Sequence, residues 1–326
     1  MRKIKVGAIQ PLMTYAYPGD DRQAYSGSVS RTRAYINGQL SVTLSLLEQA
    51  GQEGCDIVTT CEDVAHVSNF NVDIDSDLFP NLVEMSAPIV EDALCGIAKK
   101  YNMYIVGAYI AKREAQIYNI ASIFDRSGKI VGEYRKTHLP VSETWQTVPG
   151  NSLDVFELDF GKVGISICYD MSFPETIQAL ALKGAEVIFH PTFGYSLYDA
   201  IGEAILKVRA FDNGVYIVTS KNAVYNGAGK SSVIDCWGHV MADAGFAENV
   251  IVTKEIDLDV KKPQPEWFFN GALTAEYEAT MRLRKERRPE LYGVICDTGI
   301  EKVRVPDEEE KLRLLEDIRA GRIRWN

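Results

Sequence analysis

One cysteine of this sequence stands where covalent chemistry could occur. An apolar run from Lys162 predicts a strand ending at Cys168, and Pro174-Glu175 a few residues later is typical of a first helical turn. Backbone N–H groups converge at such an elbow, where they can lower the pKa of a thiol or stabilise an oxyanion. A buried core thiol is the commoner fate of a cysteine. The position between strand and helix favours a nucleophile.

Two other predicted strands end in ionisable residues. Glu62 follows the strand over residues 56–61, and Lys136 ends the strand that begins at Ile130. Side chains at strand ends of an α/β sheet gather around one site. A carboxylate could take the thiol proton, and an ammonium could stabilise the negative oxygen that forms when the thiolate attacks a carbonyl-like carbon. Each alone is more often solvated, so the hypothesis depends on their combination with Cys168.

Histidine would be the more usual base for a thiol nucleophile. The four histidines are His66, His138, His190 and His239. A cysteine protease with His138 or His190 as the partner therefore remains open on residue types alone. Ser166 is rejected as a nucleophile, because Cys168 stands where the serine elbow motif needs glycine.

Strand and helix patterns alternate along the chain. Strands are predicted at 4–10, 56–61, 103–109, 117–124, 130–136, 154–158, 162–168, 187–190, 215–220 and 232–235, and helices at 38–52, 84–101, 174–184 and 199–213. Asp125-Arg-Ser-Gly128-Lys predicts a hairpin turn. Hairpins together with helical crossovers, and no evident linker, indicate a single mixed α/β domain.

Two segments depart from this pattern. Residues 12–37, rich in Tyr, Gly, Ser and Arg, predict a loop-like insertion, which could cover a pocket but is more commonly a solvated loop. Residues 306–322 predict a charged helix with Leu312, Leu315 and Ile318 on one side, which would dock on its own domain or, less commonly, on another subunit. We therefore divide the chain into a domain over 1–298 and a charged helical extension over 299–326.

Composition excludes several classes of function. The 326 residues are 46% hydrophobic and 25% charged, with a formal net charge of −10, which is ordinary for a folded soluble protein and unfavourable for binding nucleic acid or anionic membranes. No apolar run is long enough for a membrane span, and no signal-peptide pattern opens the sequence, so a cytoplasmic location is expected. Six scattered cysteines without a C-x-x-C pair predict neither disulfides nor a metal site. No cofactor is expected.

Three blocks of sequence resemble the nitrilase superfamily of carbon–nitrogen hydrolases. They are Glu133-Tyr-Arg-Lys136-Thr-His-Leu-Pro140, Lys162-Val-Gly-Ile-Ser-Ile-Cys168-Tyr-Asp-Met-Ser-Phe-Pro-Glu175 and Lys207-Val-Arg-Ala-Phe-Asp-Asn-Gly-Val-Tyr-Ile-Val, and His190-Pro-Thr and Arg288-Pro-Glu-Leu-Tyr-Gly add to the likeness. The likeness covers about residues 3–295. It implies a four-layer α-β-β-α sandwich, a small-molecule substrate and a homo-oligomer, a dimer or larger.

The resemblance also implies which residues carry the chemistry. A Glu-Lys-Cys triad maps onto Glu62, Lys136 and Cys168, and a second glutamate of the family maps onto Glu143. The implied mechanism is attack by the thiol on an amide or ureido carbon, a thioester or thiocarbamate intermediate and its hydrolysis. The substrate-binding residues it implies are Tyr169, Thr192, Phe193 and Tyr195.

The sequence beside the nucleophile favours one branch of this family. Nitrilases usually have Trp-Glu after the cysteine, whereas this chain has Tyr169-Asp170, as amide and carbamoyl hydrolases do. Cleavage of a small amide or N-carbamoyl compound is therefore preferred, with an aliphatic nitrilase or a non-catalytic amide-binding relative as alternatives. Ser172 stands where relatives described as ω-amidases tend to carry arginine, which argues against a dicarboxylate monoamide.

Overall fold

Strands and helices alternate along most of the chain that the computed structural model describes. The described residues are 2–12, 28–70, 77–145, 147–193, 199–223, 229–259, 287–297, 308–320 and 322. The helices are α1 (Val29–Gln52), α2 (Leu78–Tyr101), α3 (Pro174–Leu182), α4 (Asp199–Asn213) and α5 (Glu308–Arg319). The strands are β1 (Lys3–Gln10), β2 (Ile57–Thr59), β3 (Tyr104–Arg113), β4 (Gln116–Phe124), β5 (Ile130–Arg135), β6 (Val155–Leu158), β7 (Gly161–Ile165), β8 (Val187–Thr192), β9 (Tyr216–Lys221), β10 (Ser232–Ile234), β11 (Val240–Asp243) and β12 (Val250–Asp257). Short 3₁₀ turns lie at Val67–Phe70, Val141–Glu143, Cys168–Ser172, Pro289–Leu291 and Gly293–Cys296.

The strands form two six-stranded mixed sheets. Sheet A has the order β12-β1-β2-β3-β4-β5, and sheet B has the order β11-β10-β9-β8-β7-β6. The centre of each sheet is parallel: β1, β2 and β3 run together in sheet A, and β7, β8 and β9 in sheet B. The outer strands pair antiparallel, which places hairpins beside helical crossovers as the sequence predicts.

Apolar side chains are buried on both faces of each sheet. Successive residues of a strand point to opposite faces. Accordingly Val106 lies in a core that includes Phe189 of the other sheet, whereas its neighbour Ile105 packs in a second core with residues of α1 and α2. A third core joins sheet B to α3 and α4, for example through Ile217 and Leu206. The order helix, sheet, sheet, helix confirms the predicted α-β-β-α sandwich.

The first helix begins earlier than the sequence predicts. It starts at Val29, where the Ser28 side chain accepts the backbone N–H of Arg31 as an N-cap. Tyr35 and Ile36 are buried and continue the apolar face of the helix toward its N-terminus. The prediction of a loop over 12–37 and a helix over 38–52 is therefore wrong for residues 29–37, while residues 13–27 lie outside the described residues.

Strand β12 was absent from the prediction. It pairs antiparallel with β1 over eight positions, from Lys3 opposite Asp257 to Gln10 opposite Val250. Only Val252 and Ile256 among its residues are fully buried, so the sequence lacks the regular alternation of a half-buried strand. Its backbone hydrogen bonds complete sheet A on the side away from the β4–β5 hairpin.

The β4–β5 turn confirms the predicted hairpin. Gly128 has a φ of +80°, and a Cβ atom there would lie 2.6 Å from the carbonyl oxygen of Cys95. Asp125 Oδ1 accepts the backbone N–H groups of Ser127 and Lys129 at 2.8 and 2.9 Å. Glycine is thus required both by the left-handed backbone and by the close approach of α2.

The C-terminal helix α5 falls inside the predicted 306–322. Leu312 on this helix is 50% exposed, and the side chains of Leu315 and Ile318 lie outside the described residues. The boundary between 1–298 and 299–326 stays a prediction. Within the described ranges, each helix is too short or too polar to cross a membrane.

Candidate active site

Three segments that follow strand ends bring ionisable side chains together. Glu62 lies three residues beyond β2, and Lys136 directly follows β5. Cys168 lies three residues beyond the end of β7 at Ile165 and begins a 3₁₀ turn, so the predicted strand ending at Cys168 is too long. The φ of Cys168 is +46°, a left-handed conformation that cannot continue a strand. The nucleophile candidate therefore sits on a sharp elbow before α3.

A buried ammonium between two carboxylates forms the centre of the site. Lys136 Nζ lies 2.8 Å from Glu62 Oε1 and 2.6 Å from Glu143 Oε1. The side chains of Lys136 and Glu62 are fully buried, whereas that of Glu143 is 21% exposed. Charges removed from water in this way need partners of opposite sign. The structure thus brings Glu143, 81 residues along the chain from Glu62, to the same lysine.

Asn119 on β4 connects the two carboxylates and is absent from the sequence prediction. Its Nδ2 donates to Glu62 Oε1 at 2.8 Å and to Glu143 Oε2 at 3.3 Å. Its backbone oxygen accepts the N–H of Lys136 at 2.9 Å. A polar residue in the middle of the apolar β4 pattern is the one signal that could have identified it. Asn119 fixes both carboxylates relative to the ammonium.

The surroundings of Cys168 raise the pKa of its thiol. Loss of hydration around the sulfur and the negative charge of Glu62 raise the pKa of the Cys168 thiol, whereas Lys136 and a hydrogen bond with Thr192 act in the other direction. An elbow can lower the pKa of a thiol, but at Cys168 burial and the two carboxylates outweigh Lys136 and Thr192. The resting thiol keeps its proton, and attack requires a base.

The same burial perturbs the charged groups around the thiol. Burial, followed by the charge of Glu62, raises the pKa of Glu143 to about 7 against the opposing effect of Lys136. Burial alone would lower the pKa of Lys136, but the Glu62 carboxylate and its neighbours hold that pKa well above its usual value. The lysine therefore stays charged, and Glu143 titrates near neutral pH.

The loop after Glu62 is closed by its own hydrogen bond, and a residue after β8 binds the Glu62 carboxylate. Asp63 and His66 both have left-handed backbone, with φ of +46° and +53°. Asp63 Oδ2 accepts the N–H of Ser68 at 2.7 Å, and burial raises the pKa of Asp63 to about 6. On the opposite side, the backbone N–H of Phe193 donates to Glu62 Oε2 at 3.1 Å. Both oxygens of Glu62 are thus engaged.

The predicted substrate-binding residues lie around the elbow, with one exception. Thr192 ends β8 and contacts the thiol, and the ring of Phe193 meets His66 edge to face at 6.1 Å. Tyr169 follows Cys168 directly and is 36% exposed. Tyr195 lies outside the described residues. Their contact with substrate stays a prediction.

The two histidines considered as partners of the thiol make other contacts. His138 Nδ1 lies 2.9 Å from Asp170 Oδ1, and its ring stacks on Phe173 at 3.9 Å. His190 is fully buried and lies 3.0 Å from Ser166 Oγ, and burial lowers its pKa to about 4. The charged side chains that act on the Cys168 thiol are Glu62, Lys136 and Glu143. This geometry disfavours a Cys/His pair.

A small cavity adjoins the elbow. It lies between the 3₁₀ turn, the ends of β8 and β9, and α4. His190, Thr192 and Lys221 line it from the sheet, and Ile205 and Leu206 line it from the helix. Thr192, which also contacts the Cys168 thiol, is the residue that this cavity shares with the site.

Comparison with known proteins identifies the family of this chain. Residues 28–264 match the model of the carbon-nitrogen hydrolase family, which is most of the chain. The omega-amidase NIT2-B of Xenopus laevis is 31% identical over 271 residues, covering 78% of this chain and 91% of that protein, and the mouse omega-amidase NIT2 gives the same values. The chain belongs to the carbon–nitrogen hydrolase family.

Solved structures support the same assignment. Nit3 of Saccharomyces cerevisiae, a member of branch 10 of the nitrilase superfamily, is 25% identical with a TM-score of 0.62, covering 78% of this chain and 90% of that chain. A carbon-nitrogen hydrolase from Helicobacter pylori G27 has the same fold, with a TM-score of 0.68 at 22% identity, over 90% of this chain and 98% of that one. These relatives confirm the resemblance that the three sequence blocks indicate.

Proposed function

We propose that this chain hydrolyses a small amide or N-carbamoyl compound through a covalent thioester or thiocarbamate on Cys168. The observation that carries the proposal is the fully buried Lys136 ammonium between the carboxylates of Glu62 and Glu143, beside a thiol on a left-handed elbow. Curated relatives named omega-amidases, about 31% identical, support cleavage of an amide.

In the first half-reaction the Cys168 sulfur attacks the carbonyl carbon while Glu62 accepts the thiol proton. A base is needed because the pKa of the thiol is raised by burial and by Glu62 itself. The negative charge moves to the substrate oxygen, where the Lys136 ammonium and the backbone N–H of Tyr169 stabilise it. Glu62 then returns the proton to the leaving nitrogen, the C–N bond breaks, and ammonia or an amine departs.

In the second half-reaction water attacks the carbonyl carbon that is bonded to the Cys168 sulfur. Glu62 takes a proton from the water, the C–S bond breaks, and the proton returns to the sulfur as the acid is released. Glu143 keeps Lys136 between the two carboxylates, and Asn119 keeps the carboxylates apart. Thr192, Tyr169, Phe193 and Tyr195 are the residues we propose to contact the substrate.

The lining of the cavity beside the elbow combines apolar and polar groups. The wall formed by Ile205 and Leu206 is apolar, while Lys221 contributes a cation at the end of β9. Ser172 also lines this cavity. These features do not select between the two chemical classes, so amides and carbamoyl compounds remain together in the proposal.

The test compares the wild-type chain with Cys168→Ala and Cys95→Ala. Ammonia release is measured on ω-amides, N-carbamoyl amino acids, carbamoyl amines and aliphatic nitriles. We expect turnover of an amide or carbamoyl compound, a fall of about 10⁴-fold or more in Cys168→Ala because a nucleophile is lost, and no change in Cys95→Ala. Mass spectrometry after acid quench should detect the acyl group on Cys168.

Three results would contradict the proposal. Turnover of nitriles alone would identify a nitrilase. Binding of amides without turnover of any compound would indicate a non-catalytic relative. Undiminished turnover in Cys168→Ala would exclude the thiol as the attacking group.

A further inference from the structure

The carboxylate of Asp170 joins the segment of Lys136 to the elbow of Cys168. Asp170 is fully buried two residues after the nucleophile. Its Oδ2 accepts the backbone N–H of Ile167 at 2.9 Å and the hydroxyl of Tyr134 at 2.6 Å. Ile167 directly precedes Cys168, and Tyr134 lies two residues before Lys136. One oxygen thus contacts both segments.

The second oxygen of Asp170 holds the chain on the other side of Lys136. Oδ1 accepts the Thr137 hydroxyl at 3.0 Å and the His138 backbone N–H at 2.9 Å, and the His138 ring nitrogen Nδ1 lies at 2.9 Å. Thr137 and His138 are the two residues that follow Lys136. The residues flanking the ammonium in the sequence are therefore fixed to a single carboxylate.

The elbow itself is closed by a reciprocal pair of hydrogen bonds. The backbone N–H of Asp170 donates to the oxygen of Ile167 at 3.0 Å, while the Asp170 side chain accepts the N–H of Ile167. This ring encloses Cys168 and Tyr169. A non-glycine residue in the left-handed region is strained and persists only where its surroundings fix it. Asp170 supplies that constraint at Cys168.

We propose that Asp170 is a positioning residue, which sets the distance between the Lys136 ammonium and the Cys168 sulfur by binding the chain on both sides of the lysine and ahead of the thiol. The proposal rests on the proposed function, in which the ammonium and the sulfur must act on the same carbonyl group. It assigns no contact between Asp170 and the substrate. A displacement of about 1 Å in such a site can lower the rate about 10²-fold.

Asp170→Asn tests the proposal, because asparagine keeps the shape and replaces one acceptor oxygen by a donor that opposes the N–H and O–H groups around it. We expect kcat to fall about 10²-fold with KM unchanged. We also expect slower alkylation of Cys168 by iodoacetamide, since the ammonium that favours the thiolate is no longer held beside it. Alkylation needs no substrate and reports on the thiol alone.

Asp235 provides a matched control at the opposite end of sheet B. It is also a buried aspartate in a turn, accepting the backbone N–H groups of Trp237 and His239 at 2.8 and 3.0 Å, with His239 Nδ1 at 3.4 Å from its other oxygen. Asp235→Asn should lower the melting temperature and leave kcat and the alkylation rate unchanged. A purely structural role for Asp170 would give the same result in Asp170→Asn, and that outcome would overturn the proposal.

Two further variants keep the test decisive if Asp170→Asn does not fold. Tyr134→Phe and Thr137→Val each remove one donor to Asp170 and leave the carboxylate in place. Each should lower kcat at unchanged KM, and wild-type kcat in both would overturn the proposal. Cys168→Ala measured in parallel separates the two hypotheses: retained turnover there refutes the proposed function, whereas loss there with wild-type kcat in Asp170→Asn refutes only the role of Asp170.

Discussion

The two sheets contribute different chemistry to the site. Segments after strands of sheet A carry the charged groups Glu62, Lys136 and Glu143, together with Asn119 within β4. Sheet B carries the thiol of Cys168, three residues after β7, and the hydroxyl of Thr192, the last residue of β8. Acid–base groups thus come from one half of the sandwich and the nucleophile from the other. Their relative position depends on how the two sheets pack, since each sheet alone holds only half of the set.

Hydrogen bonds near the site join the two halves of the sandwich. The N–H of Phe193, after β8, reaches Glu62, and Asp170 reaches Tyr134 and His138. Apolar residues such as Val106 and Phe189 fill the space between the sheets. Packing of these apolar residues sets the separation of the two sheets, and the polar contacts fix the distances between the site residues that the sheets carry.

The largest effect is expected from the charged half. Lys136→Met removes the cation between the two carboxylates, and we expect kcat to fall about 10²- to 10³-fold through loss of oxyanion stabilisation. The melting temperature should also fall, because buried carboxylates lose their counter-charge. Lys112→Met, which removes an exposed lysine of β3 paired with Glu84, is the control and should change neither. Activity preserved in Lys136→Met would show that the thiol half works without the cation.

An intermediate effect concerns pH. The folded chain retains a proton on Glu143 up to about pH 7, because burial raises its pKa, whereas the unfolded chain releases it near the ordinary glutamate pKa of 4.5. Protons bound only in the native state make the free energy of unfolding fall as pH rises between these values, by at most about 1.4 kcal/mol per pH unit. The free energy of unfolding can be measured by denaturant unfolding at several pH values in this window. Its slope against pH should be smaller for Glu143→Gln than for wild type.

The exposed Glu157→Gln should retain the wild-type slope. Equal slopes in wild type and Glu143→Gln would mean that the carboxylate is already ionised in the folded chain. The Lys136 contact would then outweigh burial.

The smallest expected effect on activity comes from comparing a substitution in the core between the sheets with one in the core beneath α1 and α2. Phe189→Leu and Phe124→Leu each replace a fully buried ring by a smaller side chain. Phe189 lies between the sheets, and Phe124 lies beneath α2. We expect similar losses of stability, roughly 1–3 kcal/mol. Only Phe189→Leu should lower kcat several-fold. The backbone oxygen of Phe189 accepts the N–H of Ser166, two residues before the thiol, so a shift of β8 after loss of the ring would move the segment of the nucleophile. Equal kcat in the two variants would contradict the dependence on sheet packing.

Much of the fold followed from local pattern. The parallel strands at the centre of each sheet are buried on both faces and read as short apolar runs, so their positions could be predicted. Strand β12 could not, because its buried positions are only Val252 and Ile256. The start of α1 was missed for a related reason: its buried face there includes Thr32 and Tyr35, which do not read as an apolar stripe.

Some residues of the site could likewise be predicted from the sequence, and others could not. The strand ends pointed to Glu62, Lys136 and Cys168, and the family resemblance added Glu143. Asn119 escaped notice because a polar residue inside a strand is usually a solvent-facing position, and burial of its side chain depends on β5 and the Val141–Glu143 turn packing around it. The direction of the Cys168 pKa shift also required the structure, since it depends on how many carboxylates surround the sulfur.

The pairing of β1 with β12 constrains the order in which the protein can form. Lys3 lies opposite Asp257, so β1 leaves the ribosome long before β12, the strand with which it pairs at this edge of sheet A. Translation at about 5–20 residues per second makes this delay longer than the folding time of many domains. During synthesis the sheet that carries Lys136 therefore exposes the free edge of β1, a surface to which other chains or chaperones can attach.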